Sequence, residues 1–174
     1  MARTEEGLHM PDKRLAAVCG LFCPACTIFI GTSDDPERLK VIAERVQKPV
    51  EELQCDGCRS GKRCFYCRER CKMGQCAHEK GADFCVECRE YPCEDLKVFQ
   101  AEMPHRIELW KSQERIKEVG YEKWYAEMLD HYSCPECHTL NSAYDLRCRN
   151  CGREPSCDYV SLHQPAITRH LAKR

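Results

Sequence analysis

Apolar residues recur at helical spacing in several stretches of the chain, divided by stretches in which cysteine is the main apolar residue. Leu39, Ile42, Ala43 and Val46 share one face. That segment opens on Asp34-Asp35-Pro36, where Asp34 with Glu37 resembles a capping box and Pro36 suits a first helical turn. Lys48-Pro49 ends it, and Pro49 can start a short second helix that presents Val50 and Leu53. Further on, Leu96 and Phe99 suit one helix, and Ile107, Trp110 and residues 114–119 suit another. After a break at Gly120, Tyr121, Trp124, Tyr125, Met128 and Leu129 suit a third. Ile167 and Leu171 predict a terminal helix over 163–173. Residues 55–93 hold nine cysteines and few aliphatic side chains, which predicts turns, knuckles and one short helix near Ala77–Gly81.

Composition changes this picture. Of 174 residues, 17 are cysteine, against five Phe and two Trp. A core built from the large apolar side chains alone is small, so cross-links or metals must replace part of it. Disulfides belong to secreted proteins and metal thiolates to reducing compartments. The uncharged stretch 16–31 contains Cys19, Cys23 and Cys26 with Gly20 and Pro24, a poor signal-peptide core. It is also short of the about 20 apolar residues of a membrane span. The expectation is metal ligation in a cytoplasmic protein with no membrane partner. Formal charge is −1 with thiols neutral. Four Zn(Cys)4 sites, each net −2, would take it to about −9, which argues against general nucleic-acid binding.

Two Cys-x-x-Cys turns near the C-terminus, Cys134/Cys137 and Cys148/Cys151, have zinc-ribbon spacing. Four soft ligands close a tetrahedral site and leave no position for water, so such a zinc is structural. Gly152 lets the backbone fold under the sulfur, and His138 stands where a second knuckle glycine is common. Cys157 is a spare thiol on this reading.

Twelve more cysteines lie between 19 and 93: Cys19, Cys23, Cys26, Cys55, Cys58, Cys64, Cys67, Cys71, Cys76, Cys85, Cys88 and Cys93. They divide into three four-cysteine zinc sites or three [4Fe-4S] clusters, and counting does not choose. Each Cys-x-x-Cys pair (23/26, 55/58, 64/67, 85/88) is expected to share a metal. Paired knuckles point to zinc, about four ions in all, with iron–sulfur as the alternative. Cys19-Gly-Leu-Phe-Cys23-Pro-Ala-Cys26 has the spacing of radical S-adenosylmethionine enzymes, but Ala25 stands where an aromatic is usual and no glycine-rich strand follows. Arg59, Lys62, Arg63, Arg68, Arg70 and Lys72 crowd six of the cysteines, an arrangement that offsets thiolate charge. His78 is a possible additional ligand.

Taken in order, Cys19-Gly-Leu-x-Cys23-x-x-Cys26, Cys55-Asp-Gly-Cys58, Cys71-Lys-Met-Gly-Gln-Cys76-Ala-His-Glu-Lys-Gly81 and Phe84-Cys85-x-Glu-Cys88-x-x-Tyr-Pro-Cys93 resemble an uncharacterised cysteine-rich family of anaerobic bacteria and archaea, defined only as a domain of unknown function. The resemblance spans about residues 15–100 and implies metal binding with no known reaction. Cys64/Cys67 is an addition to the family pattern.

The expected architecture is a small metal-stabilised protein: a flexible lead (1–14), an irregular cysteine-rich domain with short helices (15–100), a helical segment (101–131), a zinc ribbon (132–157) and a tail helix (158–174). No Ser/His/Asp set, phosphate loop or open metal motif is present, so no catalytic residue is predicted. The expected role is a non-enzymatic zinc-binding accessory or protein-interaction module. The alternatives are an iron–sulfur electron carrier or a nucleic-acid-binding ribbon protein. Trp110, Tyr121, Trp124, Tyr125 and Met128 offer a surface for a protein partner or pack on the cysteine domain.

Overall fold

The start of each helix lies in a local signal, and several of those signals are cysteines. The structure, a computed structural model, describes residues 11–173; positions 1–10 of the expected lead and Arg174 lie outside the described residues. Helix α1 (Thr27–Ser33) follows Cys26 directly and was not evident in the sequence. Helix α2 (Pro36–Val46) is capped by Asp35, whose carboxylate accepts from the Arg38 N–H at 3.1 Å. Asp34, the expected cap, instead pairs with Arg149, far along the chain. Gln47 ends α2 in the left-handed conformation, and α3 (Val50–Leu53) follows Pro49 as expected.

Within the cysteine-rich stretch lie α4 (Phe65–Glu69) and α5 (Lys72–Glu79), the latter starting five residues before the expected helix. Next come α6 (Glu94–Ala101), α7 (Leu109–Val119) and α8 (Tyr121–Tyr132). Gly120 at φ 81° separates the last two. The terminal helix α9 (Asp158–Leu171) begins ahead of the expected 163 and runs through Pro165. Among the described residues the only β pairing is two isolated antiparallel bridges, Ala16 to Phe22 and Ser133 to Leu140. No described helix is long and apolar enough to cross a membrane.

The described part of the lead is tied down rather than loose. Asp12 caps a single turn over Lys13–Leu15, and Lys13 pairs with Asp83 while lying over the Tyr121 ring.

Most aromatic residues gather in one core. Phe22, from the loop between Cys19 and Cys23, meets Trp124 edge-on at 5.9 Å and Tyr125 at 5.0 Å, and stacks on Tyr132 at 5.9 Å. Tyr132 in turn stacks on Tyr159 of α9 at 4.9 Å. Trp124 is 0% exposed. The helical segment therefore packs on the first cysteine loop, and Trp124 is core rather than a partner-facing residue. A second cluster, with Val18, Cys19, Met73, Leu96, Phe99 and Leu109, lies among the cysteines.

Buried polar side chains lock the loops between these clusters. Gln113, 0% exposed, donates to the Val18 carbonyl at 3.2 Å and accepts from the Val86 N–H at 2.6 Å. Gly20, at φ 86°, leaves room for it: a Cβ there would lie 2.7 Å from the Gln113 Nε2. Arg59 donates to the carbonyls of Ala16 and Asp83 and covers the Phe84 ring. Glu108, ahead of α7, accepts from His131 of α8 and His163 of α9 at 2.8 and 3.1 Å. Burial alone would raise this carboxyl, but the two histidines outweigh it and bring it down to about 2.

Candidate metal centres

The C-terminal site is built from two turns of matching design. In each, the N–H four residues after the first cysteine donates back to that cysteine's carbonyl: His138 to Cys134 at 2.9 Å and Gly152 to Cys148 at 3.0 Å. Both residues take positive φ, 58° for His138 and 77° for Gly152, so the histidine occupies a glycine's conformation. The turns face each other across buried Asn141, which donates to the Thr139 carbonyl at 2.8 Å and accepts from the Arg149 N–H at 3.0 Å. Nothing in the sequence singled out Asn141, because its partners depend on how the turns meet.

The sulfurs of Cys134 and Cys151, and of Cys137 and Cys148, lie 3.6 Å apart, and all four lie within 4.8 Å of one another. Thiolates about 2.3 Å from one tetrahedral ion are about 3.8 Å apart, so this donor set fits a metal. Electrostatics agree. The hydroxyl and N–H of Thr139 pull Cys137 down to about 5. Cys151 is favoured as thiolate by the Arg153 N–H, yet the three neighbouring sulfurs push it up to about 12. A cation between the four sulfurs would offset the mutual repulsion of their thiolates. Cys157, buried at the start of α9, stands outside the four, and burial raises its thiol.

The twelve N-terminal cysteines are arranged differently. Among the described residues, no three of them have sulfurs all within 4.8 Å of one another. They are nevertheless close. Cys76, Cys85, Cys88 and Cys93 line a cavity with apolar walls beside α5. Cys19 belongs to the apolar cluster around Leu96, and Cys23, Cys58, Cys71, Cys85 and Cys93 pack against it. Residues 15–98 match the model of a family described as protein of unknown function (DUF3795). The matched stretch contains all twelve N-terminal cysteines. No curated protein and no solved structure matches the chain.

Four helices of the DUF3795 segment start on a cysteine: α1 on Cys26, α4 on Cys64, α5 on Cys71 and α6 on Cys93. Helix N-termini present free N–H groups and a positive dipole end, which favour a thiolate. The N–H groups of Phe29 and Ile28 face the Cys26 sulfur and favour its thiolate, although the thiol is raised overall. Burial likewise raises Cys19 and Cys23 well above the ordinary thiol value and takes Cys85 to about 12. Each of these four is raised further by neighbouring cysteines. Metal binding at these thiols would release their protons.

The basic residues expected to offset thiolate charge do so only in part. Arg59 and Arg63 lower Cys58, but burial keeps it raised. Lys62 binds Gln54, Arg68 binds Glu69, and Lys72 reaches Asp95. His78 is exposed on α5 and joins no converging group among the described residues.

Proposed function

We propose that the chain is a non-enzymatic, multi-site metal–thiolate protein with two kinds of centre. The C-terminal turns hold one zinc ion and complete a zinc ribbon that serves as a staple. The DUF3795 domain carries wider sites that suit iron–sulfur clusters. The protein then acts as a one-electron carrier, or a small subunit, between a protein donor and a protein acceptor.

The observation behind this reading is the contrast in sulfur spacing. The ribbon sulfurs converge as one zinc requires, whereas the equally cysteine-rich segment 19–93 has no such tight group among the described residues. A cubane places irons and sulfides between its cysteines and so holds them farther apart than a single ion does. On this reading the expected count of about four zinc ions falls to about one. Such centres need the reducing compartment that a cytoplasmic location provides.

An all-zinc accessory module is the second reading, favoured by the knuckle spacing of Cys64/Cys67 and Cys85/Cys88. The nucleic-acid reading has less behind it. Arg147, Arg149 and Arg153 pair with Glu154, Asp34 and Glu136, so the ribbon's cations are already engaged.

Metal and sulfide analysis of anaerobically purified protein, with an absorption spectrum, decides between the first two. The expected result is about one zinc with iron and labile sulfide, and absorption at about 400 nm that bleaches on reduction. A colourless protein with about four zinc ions would rule out the iron–sulfur reading.

A further inference from the structure

One cavity is walled by four cysteines that the chain delivers from three places. Cys76 lies within α5, Cys85 and Cys88 flank a short turn (Cys85–Glu87), and Cys93 stands at the start of α6. Sequence order leaves the fourth member open, because Cys71 and Cys76 both precede the Cys85/Cys88 pair. The fold favours Cys76, since Cys71, at the start of α5, does not line the cavity.

The rest of the wall holds no carboxylate and no imidazole. Ala77 and Leu96 are buried there, and the Tyr91 ring is held edge-on against Trp110 of α7 at 6.0 Å. Sulfur is therefore the metal donor this cavity offers. The space between the walls, with the solvent at its mouth, is about 350 Å³, room for several atoms rather than one.

Hydrogen bonds fix the frame. The Cys85 N–H donates to the Val18 carbonyl at 2.8 Å, and the Val86 N–H donates to buried Gln113 at 2.6 Å, which pins the Cys85–Cys88 turn. The Ala82 N–H closes the end of α5 on the Ala77 carbonyl at 2.9 Å. The Lys80 ammonium reaches Glu90 at 2.6 Å and so ties that end to the loop between Cys88 and Cys93.

The four sulfurs do not converge on a point. Among the described residues, no three of them lie within 4.8 Å of one another. Thiolates on one tetrahedral ion are about 3.8 Å apart. The cysteines of a cubane bond irons at its corners and stand farther apart.

We propose that Cys76, Cys85, Cys88 and Cys93 together bind one four-iron, four-sulfide cluster in this cavity. The proposal rests on the iron–sulfur reading above and adds the ligand set and the place. Each thiol gives up its proton as its sulfur bonds an iron. Four thiolates leave such a cluster with a net negative charge, which the Lys80 ammonium on the wall offsets in part. Ala77 and Leu96 limit the access of water to it.

Anaerobic iron and sulfide analysis of full-chain variants tests the ligand set. Cys76→Ala/Cys93→Ala and Cys85→Ala/Cys88→Ala are each expected to lose about four irons per chain. The variant with all four replaced is expected to lose the same four. A loss of about eight in that variant would place the two pairs in different centres and overturn the set. Iron-containing wild type whose double variants keep all their iron would overturn this site and leave the iron–sulfur reading standing. Iron-free wild type would overturn that reading, and this site with it.

Helical circular dichroism reports which variants fold. Where they do not, the iron-loaded wild type still decides. Under chelator, Cys76, Cys85, Cys88 and Cys93 are expected to become open to iodoacetamide together, read by peptide mass. Alkylation of one while the other three stay protected would overturn the set.

Discussion

The C-terminal turns, the proposed ribbon, and the DUF3795 segment place their cysteines in opposite ways. In the ribbon, Cys134, Cys137, Cys148 and Cys151 come from two turns whose backbone hydrogen bonds close locally. The sulfurs converge because each turn dictates its own pair. In the DUF3795 segment the cysteines stand at helix starts, within α4 and α5 and in loops drawn from residues 19–93, and what holds the loops is distant: Gln113, Arg59 and the aromatic core. A local site tolerates changes elsewhere in the fold, whereas an assembled site inherits every weakness of its scaffold.

That contrast can be broken most severely at Trp124. Trp124→Ala empties a fully buried site against Phe22 and is expected to cost about 3–5 kcal/mol in urea denaturation of the metal-loaded protein. Metal should be lost from the DUF3795 segment and kept at the ribbon. Unchanged stability together with loss of a copurifying protein would instead make Trp124 a partner contact. A smaller effect is expected at Gln113. Gln113→Ala leaves the Val86 N–H without its partner, while the Val18 carbonyl keeps the Cys85 N–H, a cost of about 1–3 kcal/mol. Chelator challenge should speed metal release from the DUF3795 segment and leave ribbon zinc release as before. Equal acceleration at both would show that the ribbon also depends on this scaffold.

The smallest effect lies at His138 and has the opposite sign. His138→Gly relieves a positive φ at a position glycine favours, and is expected to stabilise the chain by about 1 kcal/mol. It should slow zinc release from the ribbon alone. Destabilisation would mean that the histidine side chain contributes more than its backbone costs.

The same contrast explains what could be read from the sequence. The convergence of Cys134/Cys137 with Cys148/Cys151 was legible because the geometry of each turn is local, and so was the unusual place of His138. Helices α2, α3 and α6–α8 followed from apolar spacing and the punctuation at Pro36, Pro49 and Gly120. Helices α1 and α9 were missed or started late because a cysteine stands at the cap, where Ser, Thr, Asp or Asn is the usual signal. The cap of α2 was misplaced by one residue; Asp34 is engaged by Arg149, a pairing no local window contains. Gln113 looked like any polar residue of a helix. Its role depends on two loops, one nearly a hundred residues before it, both meeting at one helix face.

Phe22 carries a consequence for how the protein is made. A ribosome releases the Cys19–Cys26 loop about a hundred residues before the tryptophan and tyrosines that cover Phe22. During that interval the loop has its thiols but not its lid. Metal delivered early meets open ligands on an unsupported loop. Metal delivered late must enter after α8 has closed over it. The order of synthesis thus sets a window for loading the first cysteine loop, whereas the C-terminal turns emerge after α8 and wait only for α9, which follows them directly.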